Sequence, residues 1–440
     1  MSGAGPSGER AGTGGTRRTP LPWVSSTYFA EGLPYMIVRI LSGVYFTDVG
    51  AKERYIGYLN FLGIPWNLKF LWAPLVDAIS TKRTWLVTAQ ALVTLLTGAI
   101  AGVCLMVPEG SDANSHLLLV AMLFVVMAFV SATNDVAIDG HYLEAIPDAS
   151  DQAAYSGYRV LAYRVAMIYA RSGLVALAAL AADKLGGADK HTPWAVAFGA
   201  GSLTMLALTA YHQMKLPRFE KPRRELDAVA VIRSYVPAFR TYLDQDRIAL
   251  VLVFIVIYKL GDEILFSMAT PFLMRELGVS KAQYAWIGGF VGAAGSIGGA
   301  MLGGYWIKAK GLKGAIWPLT LLMNFNIWAY VWLAWSKPDA TTSTGIAVIA
   351  AVHGYEQIAA GLGNAALLVY LLRTCKPEYK AGHYAIGSAI MSLGSTLFGG
   401  FGGRIVEQVG YLQLFLIAFV ASLPSMLMLP FVPMSDEKKG

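Results

Sequence analysis

Charge is scarce in this sequence. Asp, Glu, Lys and Arg make up only 14% of its 440 residues, whereas a soluble domain carries about 25%. That shortage, with a mean hydropathy of +0.50, excludes an ordinary soluble protein. Cysteine is scarcer still. Cys104 lies in an apolar stretch and Cys375 in a polar one, so neither a disulfide framework nor a zinc pattern is expected. Alternating strand patterns are absent, which excludes an outer-membrane barrel and leaves helices as the spanning element. No Ser/His/Asp or Cys/His grouping stands out, and His141 has no aspartate at acyltransferase spacing, Asp148 lying seven residues on. Catalysis, a metal centre and a cofactor are not expected. The basic residues follow the apolar segments rather than one face, so nucleic-acid binding is excluded too.

What the sequence has is long apolar runs. A hydrocarbon core of ~30 Å needs ~20 apolar residues per helix. Twelve such segments are predicted, at roughly 22–46, 56–76, 84–106, 116–138, 157–181, 193–213, 248–273, 284–307, 315–335, 343–370, 383–405 and 412–433. The fold class is therefore an all-α integral membrane protein with a 6+6 arrangement. A tail over 1–20 is Gly/Ser/Thr/Arg-rich and reads as disordered. It is followed by a six-helix bundle over 21–214, a polar linker over 215–247, a second bundle over 248–434 and a short tail over 435–440. Arg17-Arg18 precede no cleavage site, and Glu31 and Arg39 interrupt the first apolar run, so that span is read as retained. The linker places Ile232, Tyr235, Val236, Phe239, Tyr242 and Leu243 three and four apart, the pattern of an amphipathic surface helix.

Charge sets the topology. With both termini cytoplasmic, 21 Lys/Arg fall inside and seven outside, among the latter Lys52, Arg54, Arg275, Lys281 and Lys337. The halves echo each other. Tyr55-Ile56-Gly57 opens span two, and Trp286-Ile287-Gly288 opens span eight. Parallel repeats about an axis normal to the membrane are a signature of major-facilitator transporters, whose solute site lies between the halves. Spans eight and eleven are dense in glycine, which permits close helix packing and sliding.

Ionisable residues inside apolar spans are costly and mark functional pathways. Span one carries Glu31 before Gly32-Leu33-Pro34, then Tyr35 and Arg39. Pro34 is expected to free a carbonyl near Gly32 or Glu31 and kink the helix. Span two carries Pro65 and Lys69, the latter close enough to one end to snorkel. Asp135 and Asp139 close span four on one face, and Arg159, Arg164 and Arg171 follow in span five. Arg159 is placed to meet Asp139 or Asp135. Arg171 lies deep with no acid on its own helix and needs a partner from elsewhere. Span seven carries Lys259 with Asp262 and Glu263, and span ten carries His353, Glu356 and Gln357. Glu356, near mid-span without a same-helix cation, is a candidate proton carrier.

Several of these stretches resemble one family. Gly32-Leu33-Pro34, Ile56-Gly57, Lys69-Phe70-Leu71-Trp72-Ala73-Pro74-Leu75-Val76-Asp77, Trp85-Leu86 with Gln90, Asp135-Val136-Ala137-Ile138-Asp139 and Gly157-Tyr158-Arg159 are similar to motifs of the AmpG-type muropeptide permeases. The related acetyl-CoA transporters share the second-span and fourth-span stretches. The resemblance covers the first half of the chain. It implies proton-driven import of an anhydro-disaccharide carrying a short peptide across the bacterial inner membrane. It points to Lys69, Asp77, Asp135, Asp139 and Arg159. The turn from Ala78 to Thr84 is shorter than the Gly-Arg-Arg stretch often found in such permeases.

The residues then take three expected roles. Tyr35, Arg39, Lys69, Arg164, Arg171 and Lys259 would bind solute, with Arg and Lys taking its carboxylates. Tyr28, Tyr35, Tyr163, Tyr258 and Trp328 would stack on sugar. Glu31, Asp262, Glu263 and Glu356 would carry protons. Asp77, Asp135, Asp139 and Arg159 would form a cytoplasmic gate. Expected partners are a small-molecule solute, protons and the bilayer, with the chain a monomer. Another organic anion, peptide or acyl-CoA-like solute is the alternative cargo. An intramembrane prenyltransferase fits less well, because Asn134-Asp135-Val136-Ala137-Ile138-Asp139 is one residue too long for its Asn-Asp-x-x-Asp cluster. A non-transporting receptor lacks the soluble domain it would need.

Overall fold

The computed structural model describes residues 19–107, 114–185, 190–218, 236–237 and 239–434, with only the backbone at Pro74, Asp77, Ala78, Asn114, Ser115, Ala149, Lys380 and Ala381. The predicted tails, and Ile232 and Tyr235 of the linker, lie outside the described residues. Twelve long helical runs make up most of the described residues, and a shorter helical stretch covers 239–243 of the linker. The long runs are α1 (21–48), α2 (53–79), α3 (Lys82–Leu105), α4 (Asn114–Ala145), α5 (149–184), α6 (Thr192–Lys215), α7 (248–276), α8 (281–310), α9 (312–336), α10 (Ser343–Arg373), α11 (380–409) and α12 (411–428).

Two of the turns are a single glycine. Gly311 (φ 72°, ψ 164°) separates α8 from α9, and Gly410 (φ 83°, ψ 174°) separates α11 from α12. Both lie in the left-handed φ range that glycine alone enters freely. The contacts prove that the chain reverses there. A Cβ on Gly303 would meet Leu362 and Ala365, and a Cβ on Gly363 would meet Met323. In an unbroken helix, residues 303 and 323 would stand ~30 Å apart, yet both touch the same turn of α10. At the second turn, Gly394 lies on Val256 and Gly402 on Ser267 of α7, whereas Gly261 of α7 lies on Ala418 and Ser422. So α11 runs along α7 in one direction and α12 returns in the other.

The spans that carry embedded charge are the interrupted ones. In α1 the helix continues through Pro34 and widens into a π-helical segment, Ile37–Leu41, that holds Arg39. Pro34 has no N–H for the carbonyl four residues back. That carbonyl belongs to Ala30, not to Gly32 or Glu31 as expected, and Asn134 Nδ2 donates to it at 3.1 Å. Pro65 and Pro74 start two short helical pieces of α2, with Lys69 in the 3₁₀ turn between them. α5 has a π segment at Tyr169–Leu174 around Arg171, and α7 breaks at Tyr258-Lys259 before a π segment at Phe272–Glu276 around Arg275. π turns recur at functional sites.

The apolar core shows how the two halves, α1–α6 and α7–α12, meet. Toward the face carrying the α1–α2 and α7–α8 turns, one continuous cluster joins them. It includes Val38, Leu41, Tyr45 and Ile56 from the first half and Phe272, Leu273 and Ile287 from the second. Toward the opposite face the core divides. Val24, Tyr28, Ile138 and Tyr142 pack within the first half, and Val251, Phe254, Leu319 and Leu367 pack within the second. The molecule is closed on the α1–α2 face and parted on the other. Of the linker, Tyr242 is buried with its ring 5.1 Å from His383 of α11, while Val236, Phe239 and Leu243 are exposed.

Candidate functional site

Four groups of polar residues lie along the seam between the halves. The first is in the amino-terminal half near the parted face. Lys69 Nζ stands 3.6 Å from Asp135, and Arg159 stands 3.1 Å from Asp139. Tyr28 donates its hydroxyl to Asp139 at 2.8 Å, and the Arg159 guanidinium lies over the Tyr28 and Tyr142 rings at 4.2 and 4.3 Å. Asp135 and Asp139, although on one helix face, thus serve different cations. Glu31 is half-buried beside this group, and its Oε2 has no hydrogen-bond partner. All of these residues sit on α1, α2, α4 and α5, so neither ion pair crosses from one half to the other. The Asp77 side chain lies outside the described residues.

The second group is in the carboxy-terminal half. Lys259 Nζ lies 2.7 Å from Glu263 and 3.7 Å from Asp262, a three-residue cluster on one helix. On α10, Glu356 is fully buried, accepts from Gln357 Nε2 at 2.9 Å, and faces His353 Nδ1 at 3.8 Å. His353 Nδ1 also meets the Tyr330 hydroxyl at 2.8 Å.

The third is a cavity of about 110 Å³ between the halves, lined by Arg39, Asn60 and Arg171 from the first and Glu263, Thr270, Tyr284 and His353 from the second. Water takes ~30 Å³, so this space holds a few waters or one small polar group. A disaccharide enters only as the halves part further. Arg39 is engaged here, donating to the carbonyls of Asn60 at 2.6 Å and Leu59 at 3.5 Å. It does not pair with Glu31. Arg171 is different. It is 8% exposed, and its guanidinium makes no hydrogen bond or ion pair among the described residues. Arg164, half-buried, has only Met167 Sδ at 3.9 Å from its Nη1.

The fourth group roofs that cavity, and the sequence reading placed its members in loops. Arg275 reaches from α7 into the first half. It donates to the carbonyls of Phe46 (3.1 Å), Thr47 (2.8 Å) and Ala51 (2.7 Å), and pairs with Glu53 at 2.9 Å. These are carbonyls at the end of α1, so one half caps a helix of the other. Lys281 pairs with Asp48 at 2.9 Å, where the Trp194 indole also donates at 2.7 Å, and Arg54 pairs with Glu407 at 2.8 Å. Glycines bring the backbones together beside these pairs. A Cβ on Gly57 would lie 2.9 Å from the Gly400 carbonyl, and one on Gly289 would lie 2.1 Å from Ser172 Oγ and 2.9 Å from the Arg171 carbonyl.

Of the expected sugar-stacking rings, Tyr35 and Tyr163 line the first-half interior, Tyr35 packing edge-on against Trp66 at 5.0 Å. Tyr258 is fully buried and bonded to Thr320 at 2.9 Å. Trp328 is exposed on the outer surface against Phe419. Neither of these two can stack on a solute.

No family model matches the chain. It is 27% identical over 414 residues to the anhydromuropeptide permease of Escherichia coli K12, covering 91% of this chain and 77% of that one. It is 27% identical over 425 residues to an uncharacterised protein of Haemophilus influenzae (93% and 94%), and 24% over 417 residues to a putative AmpG transporter of Rickettsia conorii (91% and 94%). Among solved structures, a bacterial homologue of the human lysosomal transporter Spinster, inward-facing and unoccupied, superposes with a TM-score of 0.70 at 14% identity, covering 93% of this chain and 95% of that one. A D-xylose–proton symporter superposes with a TM-score of 0.68 at 12% identity (94% and 97%). With similarity to proteins named as permeases along nearly its whole length and the fold of solved major-facilitator transporters, the chain is AmpG-like, a secondary transporter rather than an enzyme.

Proposed function

We propose that the chain imports an anionic solute of the anhydro-disaccharide–peptide kind together with protons, by alternating access. The observation that carries this reading is the cavity between the halves, lined by two arginines and closed on one face by ion pairs that cross the seam. A peptide-bearing sugar offers carboxylates, and arginine is suited to bind them through paired N–H donors. Similarity to proteins named as anhydromuropeptide permeases supplies the solute class.

The excess of Lys and Arg on the other face supports an orientation in a bacterial inner membrane with the α1–α2 face outside and both termini in the cytoplasm. The chain acts as a monomer. The closed face is then the outer one, and the state described faces inward. One of Glu31, Asp262, Glu263 or Glu356 takes a proton from outside. Lys69, Arg164 and Lys259 edge the path that the solute follows, and Tyr35 stacks on its sugar. Asp135, Asp139 and Arg159, with Asp77 at the end of α2, guard the inner mouth as a cluster against which the second half closes. Another carboxylated peptide or acyl-CoA-like anion is the second reading, favoured by the short turn before Trp85.

Uptake of radiolabelled anhydromuropeptide into proteoliposomes tests this directly. Accumulation under an inward proton gradient, abolished by a protonophore, is the expected result. Folded protein that neither accumulates nor exchanges the compound would exclude muropeptide as cargo.

A further inference from the structure

Two buried groups of opposite charge type face the seam from opposite halves, and neither has a counter-ion. Arg171 on α5 keeps its charge at any physiological pH, yet its guanidinium has no acceptor among the described residues and lines the cavity. Glu356 on α10 is fully buried, its Oε1 has no donor, and no Lys or Arg stands within ion-pair distance of it. The charges that act on Glu356 are those of Asp262, Arg171 and Lys259, with His353, Gln357 and the Tyr330 hydroxyl in the same polar cluster.

The packing links the two. Gly289 of α8 lies against the Arg171 backbone, and Gly292, three residues on, lies against His353 Nε2, where an added Cβ would stand 3.0 Å away. Lys259 is already occupied by Asp262 and Glu263, and Arg39 by carbonyls of α2. Among the described cations that line the cavity or act on Glu356, Arg171 is therefore the one left to answer either an ionised Glu356 or an anion in the cavity.

We propose that Arg171 is the solute-carboxylate anchor and that Glu356 competes with the solute for it. This rests on the transport reading above. With its proton on, Glu356 needs no cation, and Arg171 is free to hold a carboxylate of the solute. When Glu356 gives its proton to water on the inner side, its carboxylate attracts Arg171 and displaces the solute. Burial makes this exchange compelling, because an isolated charge in a low-dielectric site costs several kcal/mol and is relieved by pairing. Solute and proton then favour each other's binding without touching, and the same arginine serves both.

The test compares labelled anhydromuropeptide with its carboxamide derivative in proteoliposomes of wild type, Arg171→Gln, Arg171→Lys and Glu356→Gln. Wild type should prefer the acid form by at least about tenfold, the loss expected for a missing charged hydrogen-bond pair. Arg171→Gln should lose that preference, and Arg171→Lys should keep part of it. Glu356→Gln should lose proton-driven accumulation, and its counterflow should lose its pH dependence. Retained preference in Arg171→Gln, or protonophore-sensitive accumulation in Glu356→Gln, would overturn the proposal.

A second measurement needs no solute. In purified protein, melting shifts of the two glutamine variants should be non-additive in the double variant at alkaline pH, where the carboxylate is present, and should become additive as the pH is lowered and Glu356 takes its proton. Additivity throughout overturns the pairing even if muropeptide proves to be the wrong cargo. Failure of wild type to take up muropeptide, with the coupling present, would overturn only the cargo.

Discussion

Replacing Arg275 should open the closed face. This residue crosses the seam and donates to three carbonyls near the end of α1 as well as to Glu53. A hydrogen bond to a charged group contributes about 1.5–3 kcal/mol counted singly. Water replaces part of that here, since the Arg275 and Glu53 side chains keep 23% and 26% of their exposure. A net loss of about 2–3 kcal/mol to the closed state is reasonable for Arg275→Ala, which shifts the open-to-closed ratio by roughly 30- to 150-fold. The assay is labelling of Ile40→Cys, a cavity-lining position beneath the clasp, in a Cys104→Ser, Cys375→Ser background. A membrane-impermeant maleimide applied from the α1–α2 side should react at least about tenfold faster once Arg275 is Ala. Lys337→Ala is the control, because its ion pair with Glu276 stays within the second half. An unchanged rate in folded Arg275→Ala protein, or an equal rise in the control, would refute the reasoning.

Gly289→Leu should abolish transport while the protein still reaches the membrane, since even a Cβ there would lie 2.1 Å from Ser172 Oγ. Gly298→Ala, which meets nothing within 4 Å, should transport normally. Tyr28→Phe removes one hydrogen bond to Asp139 and should cost about 1 kcal/mol in thermal unfolding. Tyr28→Ala also removes a buried ring that packs in the first-half core and lies under Arg159 and should cost about 3–5 kcal/mol, so equal melting of the two would disprove any contribution of the ring. At the exposed start of α5, Asp148 accepts from the Ser150 hydroxyl and from the backbone N–H groups of Ser150 and Asp151, which hold its carboxyl below the usual value of 3.8. Because the folded value is lowered, the cap is fully present above 3.8 and is lost as pH falls through the lower, folded value. Hydrogen exchange in the first turn of α5 should accelerate over that window, and Asp148→Asn should flatten the response.

The spans were legible because bilayer thickness fixes how many apolar residues must follow one another. The repeated Ile-Gly openings of spans two and eight were legible too, and their place explains them. Gly57 lies against Gly400 of α11, and Gly289, next to Gly288, lies against Arg171 of α5. Gly57 and Gly289 thus both sit where the halves meet, while Gly288 itself packs against Tyr284 of its own helix. Helix ends read less well. Span four was expected to stop at 138 and span five to begin at 157, but α4 continues to Ala145 and α5 starts near 149. Polar residues there end the membrane without ending the helix. Rotation around a helix was the other blind spot. Spacing along span one leaves the partners of Arg39 open, and in the structure, from within the π segment, it reaches the Leu59 and Asn60 carbonyls. The clasp was invisible for a different reason. Asp48, Glu53, Arg54, Arg275 and Lys281 are loop-edge charges by position, and surface ion pairs of that kind usually contribute little. Only the fold brings them together across the seam.

The distribution of satisfied and unsatisfied groups gives the conformational cycle a direction. On the closed face, Arg275, Lys281, Asp48, Glu53, Arg54 and Glu407 are all paired, and one apolar core joins the halves. Toward the parted face the core is split, and Glu31, Asp135 and Asn134 each keep a buried polar atom without a hydrogen-bond partner. Closing that second mouth would bring the other half against this unsatisfied cluster while the clasp on the first face is lost. The two faces therefore trade polar contacts, so neither closed form needs to lie far below the other in energy. A small contribution then suffices to choose between them, since about 1.4 kcal/mol changes a population ratio tenfold. Binding at Arg171 and protonation at Glu356 both act at the seam between the two mouths. Ligands placed there bias the exchange without having to break either clasp by themselves.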